Sequence, residues 1–305
     1  MTALLRAHVR VPCSTSNLGS GFDTVGLALD RYLDATFEPG GSELEVERTG
    51  TLALLEEEPE RDLLVGTFTR VLSSAGAAAN GVLRVASEIP LARGLGSSAA
   101  ALVAGHDLAL AVLDRGSDPM ASFRYARGQE GHGDNAAPCA LGGLRAVVPG
   151  TAGPRALAME LSPEVGFAFA APAAGLPTAA GRTVLPRQIP HEVAVAQLGH
   201  LAALLRGLAL GDPELIRVGV EDELHVPHRL PLIPGAFNAI AAGYSAGAWA
   251  VTISGSGSGL LAICAPDDAA AVARAIRAVF DAGEEDPQCI GFDLRPDFEG
   301  IARVG

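Results

Sequence analysis

The stretch "IPLARGLGSSAAALV", residues 89–103, runs from a strand end through a Gly-rich turn into an Ala-rich helix start. This is the pattern of a phosphate cradle. Free backbone N–H groups and about half a unit of positive charge sit at a helix N-terminus, and glycine lets the backbone come close to an anion. Three ligand-binding readings compete. A Walker loop carries Lys within it, and the 305 residues contain none, since all 22 basic residues are Arg. A dinucleotide fingerprint is met literally by Gly94, Gly96 and Ala99, but it needs an acid about 20 residues on at the end of a second strand. Asp114 has that spacing, yet the chain up to it and beyond it has helical composition. The third reading is a nucleoside-triphosphate loop without lysine. It uses backbone N–H groups and the Ser97 and Ser98 hydroxyls, with magnesium on a Ser hydroxyl and a carboxylate neutralising the remaining charge. A Gly turn that only packs a helix on a sheet is the structural alternative.

Outward from this loop, local pattern predicts a short strand over Ala7–Pro12 that runs into "CSTSNLGSGFDTVGLALD" (13–30), a loop rich in Ser, Gly and Asn that returns to an extended apolar stretch. Strands are expected at 43–50 and 81–90, with a helix over 62–76 closed by Gly76 between them. A helix follows the Gly-rich turn to about Leu113, another covers 115–129, and "LRAVVP" (144–149) is strand-like. The Pro- and Gly-rich "PGTAGPRA" (149–156) predicts a domain junction, dividing the chain into 1–152 and 153–305. Beyond it, strands are expected at 165–172, 248–254 and 259–264 and helices at 193–210 and 267–283. Asp267 or Asp268 would cap the last helix, Gly283 would end it, and an edge strand and tail would follow from 288. The length itself favours two packed domains over one.

Composition narrows the function further. A formal charge of −13 argues against nucleic acid or an anionic membrane as partner, because both need a basic surface. Cys13, Cys139, Cys264 and Cys289 form no Cys-x-x-Cys pair and fit reduced thiols in the cytoplasm. No signal-peptide pattern and no uncharged apolar run of about 18 residues is present. His225 and His228 have the spacing of a metal pair, but Pro227 separates them and no acidic or Cys ligand follows closely, so a metal is not expected there.

Taken together, "VPCSTSNLGSGFDTVGLALD" (11–30), "PLARGLGSSAA" (90–100) and "ISGSGSGLLAI" (253–263) resemble, in order, the three motifs of the GHMP small-molecule kinases. "EGHGDNAAPCALGG" (130–143), "LPTAAGRTVLP" (176–186) and "HVPHRLPLIPG" (225–235) resemble the branch that phosphorylates L-homoserine in threonine biosynthesis. The resemblance implies an α+β GHMP kinase two-domain fold, with a ribosomal-protein-S5-like N-terminal domain and a ferredoxin-like C-terminal domain. It implies ATP and Mg2+ as cofactors, and a possible homodimer.

It also implies site residues. ATP would lie on Pro90, Leu91, Ala92, Arg93, Gly94, Leu95, Gly96, Ser97, Ser98, Ala99 and Ala100, with magnesium on Glu130 and on Ser97 or Ser98. Homoserine is a zwitterion with a terminal hydroxyl. Arg182 and Arg229 would fork its carboxylate, Asn17 and Asp23 would meet its ammonium and hydroxyl end, and His132 and Thr178 would add contacts. Ser98, Glu130, Asp134 and Asn135 fall at the chemistry. Asp134 is either a general base or a positioning group, with positioning favoured because phosphoryl transfer depends mainly on orientation and charge. The "SGSGSG" segment (254–259) is expected to brace the first motif and the phosphate loop. Two alternatives stay open at this level: a GHMP kinase acting on another alcohol, and a catalytically silent ATP-binding homologue that regulates.

Overall fold

The computed structural model describes residues 4–53, 55, 62–151, 153–176, 178–282 and 288–304. The chain begins with β1 (Ala7–Asn17), β2 (Gly21–Pro39) and β3 (Leu44–Gly50), then α1 (Leu63–Ser74) and β4 (Gly81–Ser87). Three helices follow, α2 (Ser97–Val112), α3 (Pro119–Glu130) and α4 (Ala136–Leu141), and then the hairpin of β5 (Leu144–Val148) and β6 (Arg155–Met159). The second half opens with β7 (Gly166–Ala171), α5 (Thr178–Thr183), α6 (His191–Leu210), α7 (Pro213–Val220), α8 (Val226–Arg229) and α9 (Ala236–Ser245). It closes with β8 (Ala250–Ile253), β9 (Leu260–Cys264), α10 (Ala269–Asp281), β10 (Ile290–Leu294) and β11 (Ala302–Arg303).

Two sheets carry the molecule. The first has seven strands in the order β11-β1-β2-β4-β3, with β5 on β2 and β6 on β5. The second is antiparallel throughout, in the order β10-β7-β9-β8. Residues 13–30, expected as a loop returning to an extended apolar stretch, keep that extended end in β2, but their N-terminal part is strand as well, in a long β1–β2 hairpin. Bulges at Pro12/Cys13 and Ser16/Asn17 bend it, so that Leu33–Pro39 of β2 pairs with β4 and Val25–Leu27 with β5. Small hydroxyl residues hid this strand because they favour turns in isolation, yet here Ser14, Thr15 and Ser16 are fully buried and hydrogen-bonded.

The 149–156 stretch leads from β5 into β6, which pair antiparallel in one sheet, so the first sheet extends to Met159 and the expected junction at 152 falls between two of its strands. The chain returns to that sheet through β11, which pairs with β1 at Val9↔Arg303. Gly76 follows α1 at φ 73, as a helix-ending glycine should. Asp268 sits at the N-cap of α10 without a side-chain capping bond, and Gly283 lies outside the described residues.

β7, "GFAFAA", joins the two halves of the core by strand alternation. Phe167, Phe169 and Ala171 pack into the large cluster shared with the first sheet and α2. Ala168 and Ala170 face a second cluster with Ile276 and Phe280 of α10. By length and composition α6 is apolar enough to cross a membrane, with a mean hydropathy of 1.6. Here it packs against α7, where a Cβ on Gly219 would overlap the Leu204 backbone of α6.

Candidate active site

The phosphate loop ends in α2. Its N-cap is Gly96, left-handed at φ 63 and ψ 27, and a Cβ there would overlap the Ser14 hydroxyl. Gly94, at φ 88, leaves no room for a Cβ against the carbonyl of Ser254. These glycines are therefore required by close packing against β1 and the 254–259 turn as well as by backbone conformation. The turn braces both motifs, as expected. Ser254 Oγ donates to the carbonyl of Gly94 (2.7 Å) and shares a hydrogen bond with Thr15 Oγ1 (2.9 Å), and Gly255 N–H donates to the carbonyl of Ser16 (3.1 Å).

A cavity of about 630 Å3 opens in front of the helix start. One end is apolar, lined by Leu33, Leu52, Leu55, Leu63, Leu64 and Val85; the other holds Gly94–Ser98, Glu130, His132 and Asn135. Pro90, Leu91 and Ala92 also line it. Arg93 instead donates to the carbonyls of Leu91 and Ala173, tying the loop to the segment before α5, while Ala99 and Ala100 are buried in the core. The shape suits a flat apolar ring at one end and an anionic tail at the helix N-terminus.

Beyond the helix start the charged residues gather. Ser98 Oγ donates to Glu130 Oε1 at 2.5 Å, while Glu130 Oε2 is buried with no partner among the described residues. Burial pushes the Glu130 pKa up, against the bond from Ser98. A lone buried carboxylate oxygen beside a hydroxyl is a donor set suited to a hard cation such as Mg2+. Ser97 has no comparable contact with Glu130, so the geometry joins Ser98 to it.

His132 Nδ1 lies 2.8 Å from Asp134 Oδ1, and this bond raises the His132 pKa. Burial alone would raise the Asp134 pKa, but the bond and charge of His132, with a further bond from Ser16, hold it below the ordinary 3.8. Asp134 can come this close to the strands because β2 has glycine at position 26, where a Cβ would overlap the Asp134 carbonyl. Ligand atoms of Asp23, His132 and Asp134 lie within 4.8 Å of one another.

Asp23 belongs to a strained turn, in which Asn17, Leu18 and Asp23 all have positive φ (73°, 46° and 51°). Arg182 of α5 makes a fork to Asp23, NH2 to Oδ1 at 2.7 Å and NH1 to Oδ2 at 3.1 Å. Arg229 of α8 is only 1% exposed. Its Nε donates to the carbonyl of Gly181 (3.0 Å), its NH1 points to the carbonyl of Gly255 (3.4 Å), and its guanidinium carbon lies 5.2 Å from the Phe22 ring centre. Among the described residues no carboxylate forms an ion pair with it. Burial first, then the charge of Arg182, push its pKa down.

Two predicted site residues have amides already hydrogen-bonded within the protein. Asn135 Oδ1 accepts from Ser14 Oγ (3.0 Å) and its Nδ2 donates to Ser16 Oγ (2.9 Å), so its amide fastens α4 to β1. Asn17 Nδ2 donates to the carbonyl of Gly255 and its Oδ1 accepts from Asp23 N–H (both 2.9 Å), which shapes the turn that presents Asp23. Thr178 opens α5, and its side chain lies outside the described residues. Sequence reasoning missed Phe22, the Gly255 carbonyl and the polar side of His225, which all border Arg229; "HVPHR" carries the histidine, but in the sequence His225 stands out only for its metal-pair spacing to His228.

Comparison with known families fixes the class. Residues 62–143 match the GHMP kinases N-terminal domain and residues 201–282 the GHMP kinases C-terminal domain. The first match holds the phosphate loop and Glu130, and the second holds Arg229. The homoserine kinase of Carboxydothermus hydrogenoformans is 37% identical over 274 residues, 89% of each chain, and that of Thermus thermophilus is 37% identical over 276 residues, 88% of this chain and 90% of the relative. The crystal structure of homoserine kinase from Cytophaga hutchinsonii superposes with a TM-score of 0.85 at 26% identity, covering 98% of this chain and 97% of that one. The chain belongs to the homoserine kinase family of the GHMP kinases.

Proposed function

We infer that this enzyme transfers the γ-phosphoryl group of ATP to the terminal hydroxyl of L-homoserine, giving O-phospho-L-homoserine and ADP. Beyond the family, one observation carries the substrate assignment: a buried guanidinium without a carboxylate partner among the described residues, Arg229, stands near an acid, Asp23, already forked by Arg182. That arrangement complements a zwitterion. The amino-acid carboxylate enters between Arg229 and Arg182, the ammonium takes Asp23, and each charge-assisted bond contributes about 1.5–3 kcal/mol once water is excluded. The hydroxyl then reaches toward His132 and Asp134, at the end of the cavity that holds the helix start.

The chain's own residues supply position and field. The α2 N-terminus and Ser98 hold the phosphates, and the apolar end of the cavity takes the base. Glu130 and Ser98 would hold Mg2+, which when bound offsets the charge of the phosphate oxygens. Asp134, held below its usual pKa and tied to His132, is a weak base. We assign it to orienting the hydroxyl, whose proton leaves with the transferring phosphoryl group as the new P–O bond forms and the bond to ADP breaks. A cytoplasmic location goes with this reading.

The test is ADP release with Mg2+ and ATP against L-homoserine, mevalonate, L-serine, shikimate and galactose. Turnover confined to homoserine is expected. Preference for another alcohol would keep the phosphate site and overturn the substrate, and silence on every alcohol despite ATP binding would overturn the transfer itself.

A further inference from the structure

His225 is fully buried and neither of its ring nitrogens is idle. Nε2 lies 3.0 Å from the carbonyl of Gly19, which only accepts, so Nε2 carries the proton. Nδ1 faces Arg229 NH1 at 3.3 Å, and a guanidinium only donates, so Nδ1 presents its lone pair. The two neighbours together select one neutral tautomer. The imidazole also stacks on Phe22, with centres 4.8 Å apart and planes at 21°, and Phe22 is the same ring that underlies the Arg229 guanidinium.

The backbone around His225 is itself fixed. Asp222 Oδ2 accepts the N–H groups of His225 and Val226, both at 2.8 Å, and its Oδ1 accepts from Gln197 Nε2 at 2.7 Å. On the other side Gly19 is left-handed at φ 78 and leaves no space for a Cβ against the Val220 carbonyl. A rigid socket thus meets an arginine that has no carboxylate partner among the described residues.

We propose that His225 is a positioning residue for the substrate carboxylate: its unprotonated Nδ1 holds the Arg229 fork in the orientation that receives that carboxylate. The inference rests on the reading of L-homoserine as substrate. Protonation would set a second N–H and a second positive charge against Arg229, so the ring must stay neutral for the fork to hold. Arg229, Asp222 and Asp23 are the charged groups around it, and burial dominates over both acids in holding its pKa below the ordinary 6.5. The carboxylate and ammonium of homoserine do not titrate near neutrality, so loss of the fork on acidification appears as a rise in homoserine KM.

Two variants separate the parts. His225→Phe keeps a ring to stack on Phe22 but offers no lone pair, whereas His225→Asn offers a carbonyl oxygen to Arg229 and does not titrate. For His225→Phe we expect homoserine KM to rise by about 10-fold or more, the loss of one bond to a charged group, with ATP KM and kcat within about twofold. His225→Asn should recover most of that loss and should lack the rise in homoserine KM that wild type shows between pH 7 and pH 5. In wild type, ring 15N shifts of His225 should show the Nε2–H tautomer at pH 7.

Equal change in the ATP and homoserine KM values, His225→Asn no better than His225→Phe, or a wild-type acid limb that survives in His225→Asn would each overturn the inference. If His225→Phe does not fold, the pH profile of His225→Asn and the 15N shifts still decide. Wild-type turnover on homoserine is measured first: its absence would defeat the substrate reading, whereas normal turnover with unaltered variants would defeat this inference alone.

Discussion

At the scale of single residues the site is a set of charges whose partners are supplied or withheld. Glu130 keeps one carboxylate oxygen buried and unpartnered beside Ser98. Glu130→Gln should therefore lower kcat by weakening the hold on Mg2+, and a magnesium titration should restore part of the activity; a defect indifferent to magnesium would remove Glu130 from that role. His132 binds its proton more tightly folded than unfolded, because Asp134 accepts from it. Its contribution to stability is full below the ordinary value of 6.5 and is lost as pH rises through the raised folded value. Unfolding in urea at pH 6, 7, 8 and 9 should show wild type losing stability over that range and His132→Gln, less stable at pH 6, losing less. At this scale the sequence was legible wherever a residue's chemistry has one use: Arg229, Asp23 and Glu130 stand among the converging charges. What no local pattern could show is that the Asn135 amide, at the cavity wall, is held by Ser14 and Ser16, and that Asn17 Nδ2 reaches Gly255, all more than a hundred positions away.

At the scale of elements the start of α2 depends on a glycine that faces protein on one side and the cavity on the other. Gly96→Ala must accept a left-handed backbone, about 1–2 kcal/mol, and push against Ser14 Oγ. We expect a loss of stability of that size or somewhat more, read by urea unfolding, together with a raised KM for ATP; an unchanged ATP KM would separate the glycine from the phosphate site. Helices and apolar strands were readable because periodicity is local: α1, α2, α6, β4 and β9 lie where pattern put them. The second half of β1 was not, since "CSTSN" gains its strand identity only from β2 alongside it and the 254–259 turn above it. The hairpin of β5 and β6 was hidden for the opposite reason, as its turn carries the Pro and Gly content of a linker.

At the scale of the whole molecule the two sheets are joined by residues that belong to neither alone. β7 divides its alternate side chains between two clusters, and Arg93 and the Ala92 carbonyl (accepting from Leu176 N–H at 3.2 Å) tie the phosphate loop to the approach to α5, which carries Arg182. The phosphate loop and the approach to α5 are thus fastened by one side-chain and one backbone hydrogen bond, which no local pattern announces. A second long-range tie is the pair between Arg303 of β11 and the fully buried Asp107 of α2, with Nε to Oδ2 at 2.9 Å and NH2 to Oδ1 at 3.1 Å. Arg303→Met would leave that carboxylate buried with Ser117 as its remaining side-chain partner, so the urea midpoint should shift by the equivalent of about 3–5 kcal/mol, with homoserine KM unchanged. A loss under 1 kcal/mol would show that Asp107 does not depend on the pair.

The same β1–β11 pairing sets a schedule for biosynthesis. Val9 emerges from the ribosome 294 residues before Arg303, its partner in the register (303 − 9 = 294). At roughly 5–20 residues per second the outer edge of β1 stays unsatisfied for about 15–60 s. Throughout that interval the nascent chain offers an open strand edge to its neighbours on the same messenger, and a chaperone holding it there would shield the newborn enzyme from aggregation.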